Sequence, residues 1–162
     1  MSCGFCCRGL LHSHGVLKGE EVNKASAQGL EVLQVDPPAF ALPCPKFDGC
    51  CTIYDGRPKA CRGFRCPLLR RLDDNDIGLD EALEIVAEAR RLASAAMPNA
   101  SAAELASEFR AQRRVRQLDS AEDRNDGKRV KFIALGLYLD KHFVLPRDGN
   151  FYSIQPIAGG SS

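Results

Sequence analysis

The residues able to do chemistry in this 162-residue chain are its eight cysteines, and all of them fall in the first 66 positions. Three make a C-x-x-C-C pattern near the start: Cys3, Cys6 and Cys7. The other five lie in CPKFDGCCTIYDGRPKACRGFRC, as Cys44, Cys50, Cys51, Cys61 and Cys66. Two cysteines separated by two residues can reach one ion from a single tight turn, and Gly4 lets that turn form. Tetrahedral zinc takes four such donors at about 2.3 Å. A cubane iron–sulfur cluster also takes four thiolates. Either centre would carry a net charge of about −2, which N–H donors and nearby cations stabilise. Arg8, Arg57 and Arg62 stand within a few residues of the cysteines and suit that role. Two bland alternatives compete: a disulfide-rich secreted fold, and redox or core thiols without a metal. Both are weaker, because no secretory leader is readable ahead of clustered, locally spaced cysteines.

Composition sets the frame for these thiols. The formal net charge is +1, so no global field points to nucleic acid or to a membrane surface. No apolar run approaches the roughly 20 residues of a membrane span. At the N-terminus, Cys3, Arg8, His12 and His14 interrupt any apolar stretch, which gives an expectation of a reducing, cytoplasmic setting. No G-x-G-x-x-G, nucleotide loop or catalytic triad is present.

The elements that must position the thiols divide in two. Residues 1–70 hold eight glycines and little sustained periodicity. A turn or one helical turn is expected before Gly15, short extended pieces over 16–35, and a break at Asp36-Pro37-Pro38. Phe40-Ala41-Leu42 and Thr52-Ile53-Tyr54 are expected to pair as strands around Asp48-Gly49, with Tyr54 as a packed strand aromatic. A structural zinc contributes about 10–16 kcal/mol in small peptides, the right scale to staple such a segment. Residues 71–162 read as helical. One helix is expected from about Leu79 to Met97, with Asp80 and Glu81 in its first turn and Pro98 as its stop. A capping box, Ser101 to Glu104, opens a second helix ending near Leu118. After a charged connection, a third runs from about Lys128 to His142, and its apolar centre, Phe132 to Leu139, is expected to be buried. Pro146-Arg147-Asp148-Gly149 suits a turn in the tail. The expected fold is α+β: an irregular, metal-stapled, cysteine-rich N-terminal half with short strands, then a three-helix C-terminal half packing on it as one domain.

These motifs carry a resemblance. C-G-F-C-C-R at the start, C-P-x-F at Cys44, and C-T-I-Y-D-G-R-P-x-x-C-R-G-F from Cys51 to Phe64 resemble the YkgJ-like cysteine-cluster proteins, a family described as zinc- or iron-chelating. The resemblance covers roughly residues 3–66, and its Cys51–Phe64 block is the specific part. It implies metal ligation by Cys3, Cys6, Cys7, Cys44, Cys51 and Cys61, with Cys66 where some members have a further cysteine. The family pattern has one more cysteine three positions ahead of Cys3, with no counterpart here. Cys50, Cys66, His12 or His14 would then complete the set, or the site has fewer ligands. A similar cluster occurs in flagellin lysine-N-methylases, which brings in methyl transfer by analogy.

Other features read as structural. His12 and His14 suit exposed positions more than ligation, and His142 a helix end, where a cation favours the dipole. Arg110, Arg113, Arg114 and Arg116 precede an acidic run and read as a solvated helix face, against a nucleic-acid role. Asp73-Asp74-Asn75-Asp76 reads as an acidic linker rather than a calcium loop. The expected function is a metal-binding protein whose cysteines chelate zinc or an iron–sulfur cluster. The alternative is an enzyme using that centre for redox or methyl-group transfer.

Overall fold

The computed structural model describes residues 3–118, 127–144 and 155–156. The chain divides into two compact units, one of Met1–Phe64 with the C-terminal segment, the other of Arg65–Pro146. By its elements the chain is α+β.

In the first unit, strand β1 (His14–Val16) is followed by a 3-10 turn at Gly19–Glu21 and helix α1 (Val22–Ala27). Strands β2 (Val32–Leu33), β3 (Val35–Asp36) and β4 (Ala39–Ala41) come next. A short hairpin of β5 (Phe47–Asp48) and β6 (Cys50–Cys51) precedes a 3-10 turn at Tyr54–Gly56 and helix α2 (Lys59–Gly63). A three-stranded antiparallel sheet has the order β1-β4-β2. Phe40 pairs with Gly15 on one side and Val32 on the other. A side chain at Gly15 would meet the Phe40 ring at 2.5 Å, so the bare strand makes room for that ring. Phe40, Leu17, Ala25 and Leu30 form a buried cluster, with Val22, Val32, Leu42, Cys44 and Ile53 packed against it. The cysteine-rich half therefore has an apolar core of its own. Strand β7 (Gln155–Pro156) pairs antiparallel with β3.

Several expectations change here. Residues 16–35 are not only extended: α1 interrupts them, because Leu30 N–H bonding to the Ala25 carbonyl and Gly29 N–H to that of Ser26 close a helical turn. Phe40 pairs within the sheet rather than with 52–54. The hairpin forms closer in, with Phe47 opposite Cys51 and Asp48 opposite Cys50. Tyr54 starts a 3-10 turn and is 60% exposed.

The second unit opens with a helix the periodicity did not announce, α3 (Pro67–Asp73). Helices α4 (Leu79–Ala96), α5 (Ala102–Leu118) and α6 (Gly127–His142) follow close to their expected limits. On α4 the buried residues Ala82, Ile85, Ala89, Ala93 and Ala96 make one stripe at helical spacing. The Ser101–Glu104 box forms as the sequence implies: Ser101 N–H donates to Glu104 Oε2 at 2.8 Å, and Glu104 N–H to Ser101 Oγ at 3.2 Å. Helix α6 packs on α4 and α5. It buries Phe132, Leu135, Gly136 and Leu139, while Val130 and Leu137 are 54% and 51% exposed. Its centre is thus buried on one side, not all round. Arg113 pairs with Asp140 and lies over the Phe109 ring, so this arginine joins α5 to α6. The side chains of Arg114 and Arg116, the connection 119–126 and the Pro146–Gly149 turn lie outside the described residues.

Candidate metal centre

Gly4, Cys6 and Cys7 sit in a tight turn. Arg8 N–H bonds to the Gly4 carbonyl at 2.8 Å, Gly9 N–H to Cys6 at 3.0 Å and Leu10 N–H to Phe5 at 3.1 Å. Phe5 and Leu10 are buried and anchor the turn from either end. Gly4 has φ +77°, and a Cβ there would fall 2.4 Å from the Phe47 ring. Only glycine meets both demands, left-handed backbone and an aromatic ring against it. The Arg8 guanidinium lies 5.8 Å from the centre of the same ring. Phe47 is the residue opposite Cys51, so this contact brings the N-terminal turn to the hairpin. A second tie is direct: Cys44 N–H donates to the Cys7 carbonyl at 2.7 Å. Cys44 also leans on the apolar cluster. Cys61 rides on α2, which packs on β1.

The thiols feel one another. Burial pushes the Cys7 thiol up to about 11, with the charges that Cys44, Cys51 and Cys3 would carry adding to the rise. Burial likewise pushes Cys61 up to about 12, reinforced by Cys7, Cys44 and Cys51 and opposed by the Arg57 cation. Cys61 is exposed as a residue, yet protein atoms crowd its sulfur enough that lost hydration leads. Cys44 is also raised, by burial first, then in part by Cys51. Five cysteines from both sequence clusters, Cys3, Cys7, Cys44, Cys51 and Cys61, thus share one electrostatic neighbourhood. Among the described residues no three His, Cys, Asp or Glu side chains stand in ligating geometry. Cys7 and Cys61 are neutral thiols at physiological pH, so each must lose a proton before its sulfur can act as a ligand.

The other candidates fall around this group. Cys6 shares the N-terminal turn through its carbonyl. Cys50 is exposed on the hairpin, opposite Asp48. Cys66 belongs to the second unit, where it caps α3: its Sγ accepts from Leu69 N–H at 3.4 Å, ahead of Pro67 in the first turn. Cys-Pro at a helix start was a readable sign of that role.

His12 is less exposed than its place near the terminus implied. Burial, then the neighbouring His14, lowers its pKa, and it meets Phe64 edge-on at 4.8 Å. His14, also lowered by burial, lies in β1 with its Nδ1 3.0 Å from Ser13 Oγ. Arg57 stacks on Tyr54, its guanidinium carbon 3.8 Å from the ring centre. Tyr54 is thus covered by a cation rather than packed within a strand.

In comparisons with protein-family models, with characterised proteins and with solved structures, the chain finds no match.

Proposed function

We propose that this chain is a metal-binding protein in which cysteines of the first unit chelate zinc or an iron–sulfur cluster. The observation that carries the reading is that the fold joins the two cysteine stretches: Cys44 N–H bonds to the Cys7 carbonyl, and Phe47, opposite Cys51, lies against Gly4 of the N-terminal turn. Soft donors from two distant stretches gathered in one half-buried place fit a thiophilic centre better than scattered core thiols do. Cys3 and Cys6 flank the group, and the motif likeness to YkgJ-like proteins points the same way. Cys66 is assigned to helix capping, a role that a metal-bound thiolate can also fulfil.

Loading then requires each ligating thiol to lose its proton and to rotate until the sulfurs stand at about 2.3 Å from the metal. Arg57, already acting on Cys61, offsets part of the negative charge that results. Elemental analysis and an absorption spectrum of anaerobically purified protein test the proposal. Stoichiometric zinc, or iron with broad visible absorbance, supports it. Intact thiols with neither metal would overturn it.

A further inference from the structure

Beside α1 and the Gly56–Lys59 segment lies a cleft of about 200 Å³, lined by Glu20, Glu21, Lys24, Arg57, Lys59 and Arg62 among others. We propose that it binds a small oxyanion, the phosphoryl or carboxylate group of a ligand. This inference goes beyond the metal reading and does not depend on it.

The charges favour an anion. Four cations line the cleft against two carboxylates, and both carboxylates are committed to the cleft's own walls. Glu20 Oε1 accepts from Lys59 Nζ at 2.9 Å. Glu21 Oε1 accepts from Lys59 N–H at 2.8 Å, and its Oε2 from Lys18 N–H at 3.1 Å. Lys59 is thereby matched, while Lys24 and Arg57 bring charge that neither glutamate answers. Arg57 is the sharper signal. Its Nε is buried, with no hydrogen-bond acceptor among the described residues. A buried donor left unmet is costly, and an oxyanion that reaches the Arg57 guanidinium from the cleft would offset that cost. Stacking on Tyr54 holds the guanidinium plane in place, so its fork is set before a ligand comes. Gln28 closes one wall, its amide donating to the Gly56 carbonyl at 3.2 Å.

Size narrows the class. The cleft is smaller than the roughly 300–1,000 Å³ of pockets that enclose drug-sized ligands. It suits one phosphate or carboxylate group and is too small to enclose a whole nucleotide.

Calorimetric titration of the protein as purified, and again after chelator treatment, tests this. The probes are inorganic phosphate, O-phosphoserine and acetate at fixed ionic strength, with chloride as the control. Saturable heat from phosphate or acetate beyond the chloride response is expected in both preparations. Tighter binding of O-phosphoserine than of phosphate identifies a phosphoryl group carried on a larger molecule. Tighter acetate than phosphate identifies a carboxylate. Arg57→Gln should weaken binding by about tenfold or more, and Arg57→Lys, which keeps the charge but loses the fork, by a smaller factor. Lys24→Gln, at an exposed position where folding is not at stake, should weaken it several-fold. A response no larger than chloride for every probe overturns the proposal, as does unchanged affinity in both Lys24→Gln and Arg57→Gln. Loss of binding after chelation alone would also overturn it, by placing the anion on the metal rather than in the cleft.

Discussion

The amide of Cys44 donates to the carbonyl of Cys7 at 2.7 Å, across 37 positions of sequence. That bond uses backbone atoms only, so it persists when either sulfur is modified. It makes the meeting of the two cysteine clusters a property of the folded chain, while the sulfurs stay available for chemistry. Cys51→Ser or Cys61→Ser should therefore cut metal content by about half or more and leave the backbone tie formed. Loss of the centre should loosen the first unit and spare the helices α4–α6. Limited proteolysis checks this, with early cleavage expected within 3–64; early cleavage confined to 79–142 would count against it.

The raised thiols give an alkaline signature. Cys7 and Cys61 titrate near 11 and 12 in the folded chain, against about 9 when unfolded. The folded state then holds more protons between those values. Its stability should fall as pH rises above about 9 and level off only past about 12. Denaturant midpoints of metal-free protein at pH 7.5 and 10 measure the effect. Residue-resolved iodoacetamide labelling at pH 8 adds a second reading: exposed Cys50 should react well before Cys7 and Cys61.

Metal uptake should release protons for the same reason. Each ligating thiol that is neutral beforehand gives up one proton, so zinc binding in weak buffer should acidify the solution by about one proton per ligand. Apparent affinity should rise steeply from pH 6 to 8. A proton yield near zero would mean that oxygen donors, or thiolates already ionised, hold the metal.

Histidine behaviour runs in the opposite direction. Burial lowers His12 and His14 below the usual 6.5, so the folded state resists their protonation. Stability from these groups is complete above about 6.5 and is lost as pH falls toward their folded values. Proton NMR titration of the His12 and His14 rings should give midpoints below 6.5. A midpoint at or above 6.5 for His12 would mean that its ring is hydrated rather than packed against Phe64.

Legibility followed sequence distance. The long helices declare themselves locally: Ser101 and Glu104 sit three apart, and the α4 stripe repeats every three or four residues. Strands of two or three residues carry no period to detect, which is why Phe40 is expected opposite 52–54 yet pairs with Gly15 and Val32. Helix α1 carries no readable apolar stripe, because only Ala25 of its six residues is buried. The cysteine spacing exposed the candidate ligands, but not that Cys66 spends its sulfur on a helix cap. The contact of Phe47 with Gly4 joins positions too far apart for spacing rules, and it is settled by the tertiary fold alone.

That contact supplies the most discriminating substitution. Gly4→Ala would place a methyl 2.4 Å from the Phe47 ring and force alanine into φ +77°. The backbone alone costs about 1–2 kcal/mol, and the ring must also move. Because Phe47 lies opposite Cys51, moving it shifts the hairpin and its thiol away from the N-terminal turn. Gly136→Ala is the control in the second unit. Its new methyl would lie 3.7 Å from the Phe109 ring, an ordinary contact, and helix propensity favours alanine by about 1 kcal/mol. Gly136→Ala should thus raise the stability of the helices and leave metal content unchanged. Gly4→Ala should lower metal content and destabilise the first unit, with the helical circular dichroism of α4–α6 retained. Equal metal content in the two variants would show that the N-terminal turn does not need its place against the hairpin to supply ligands.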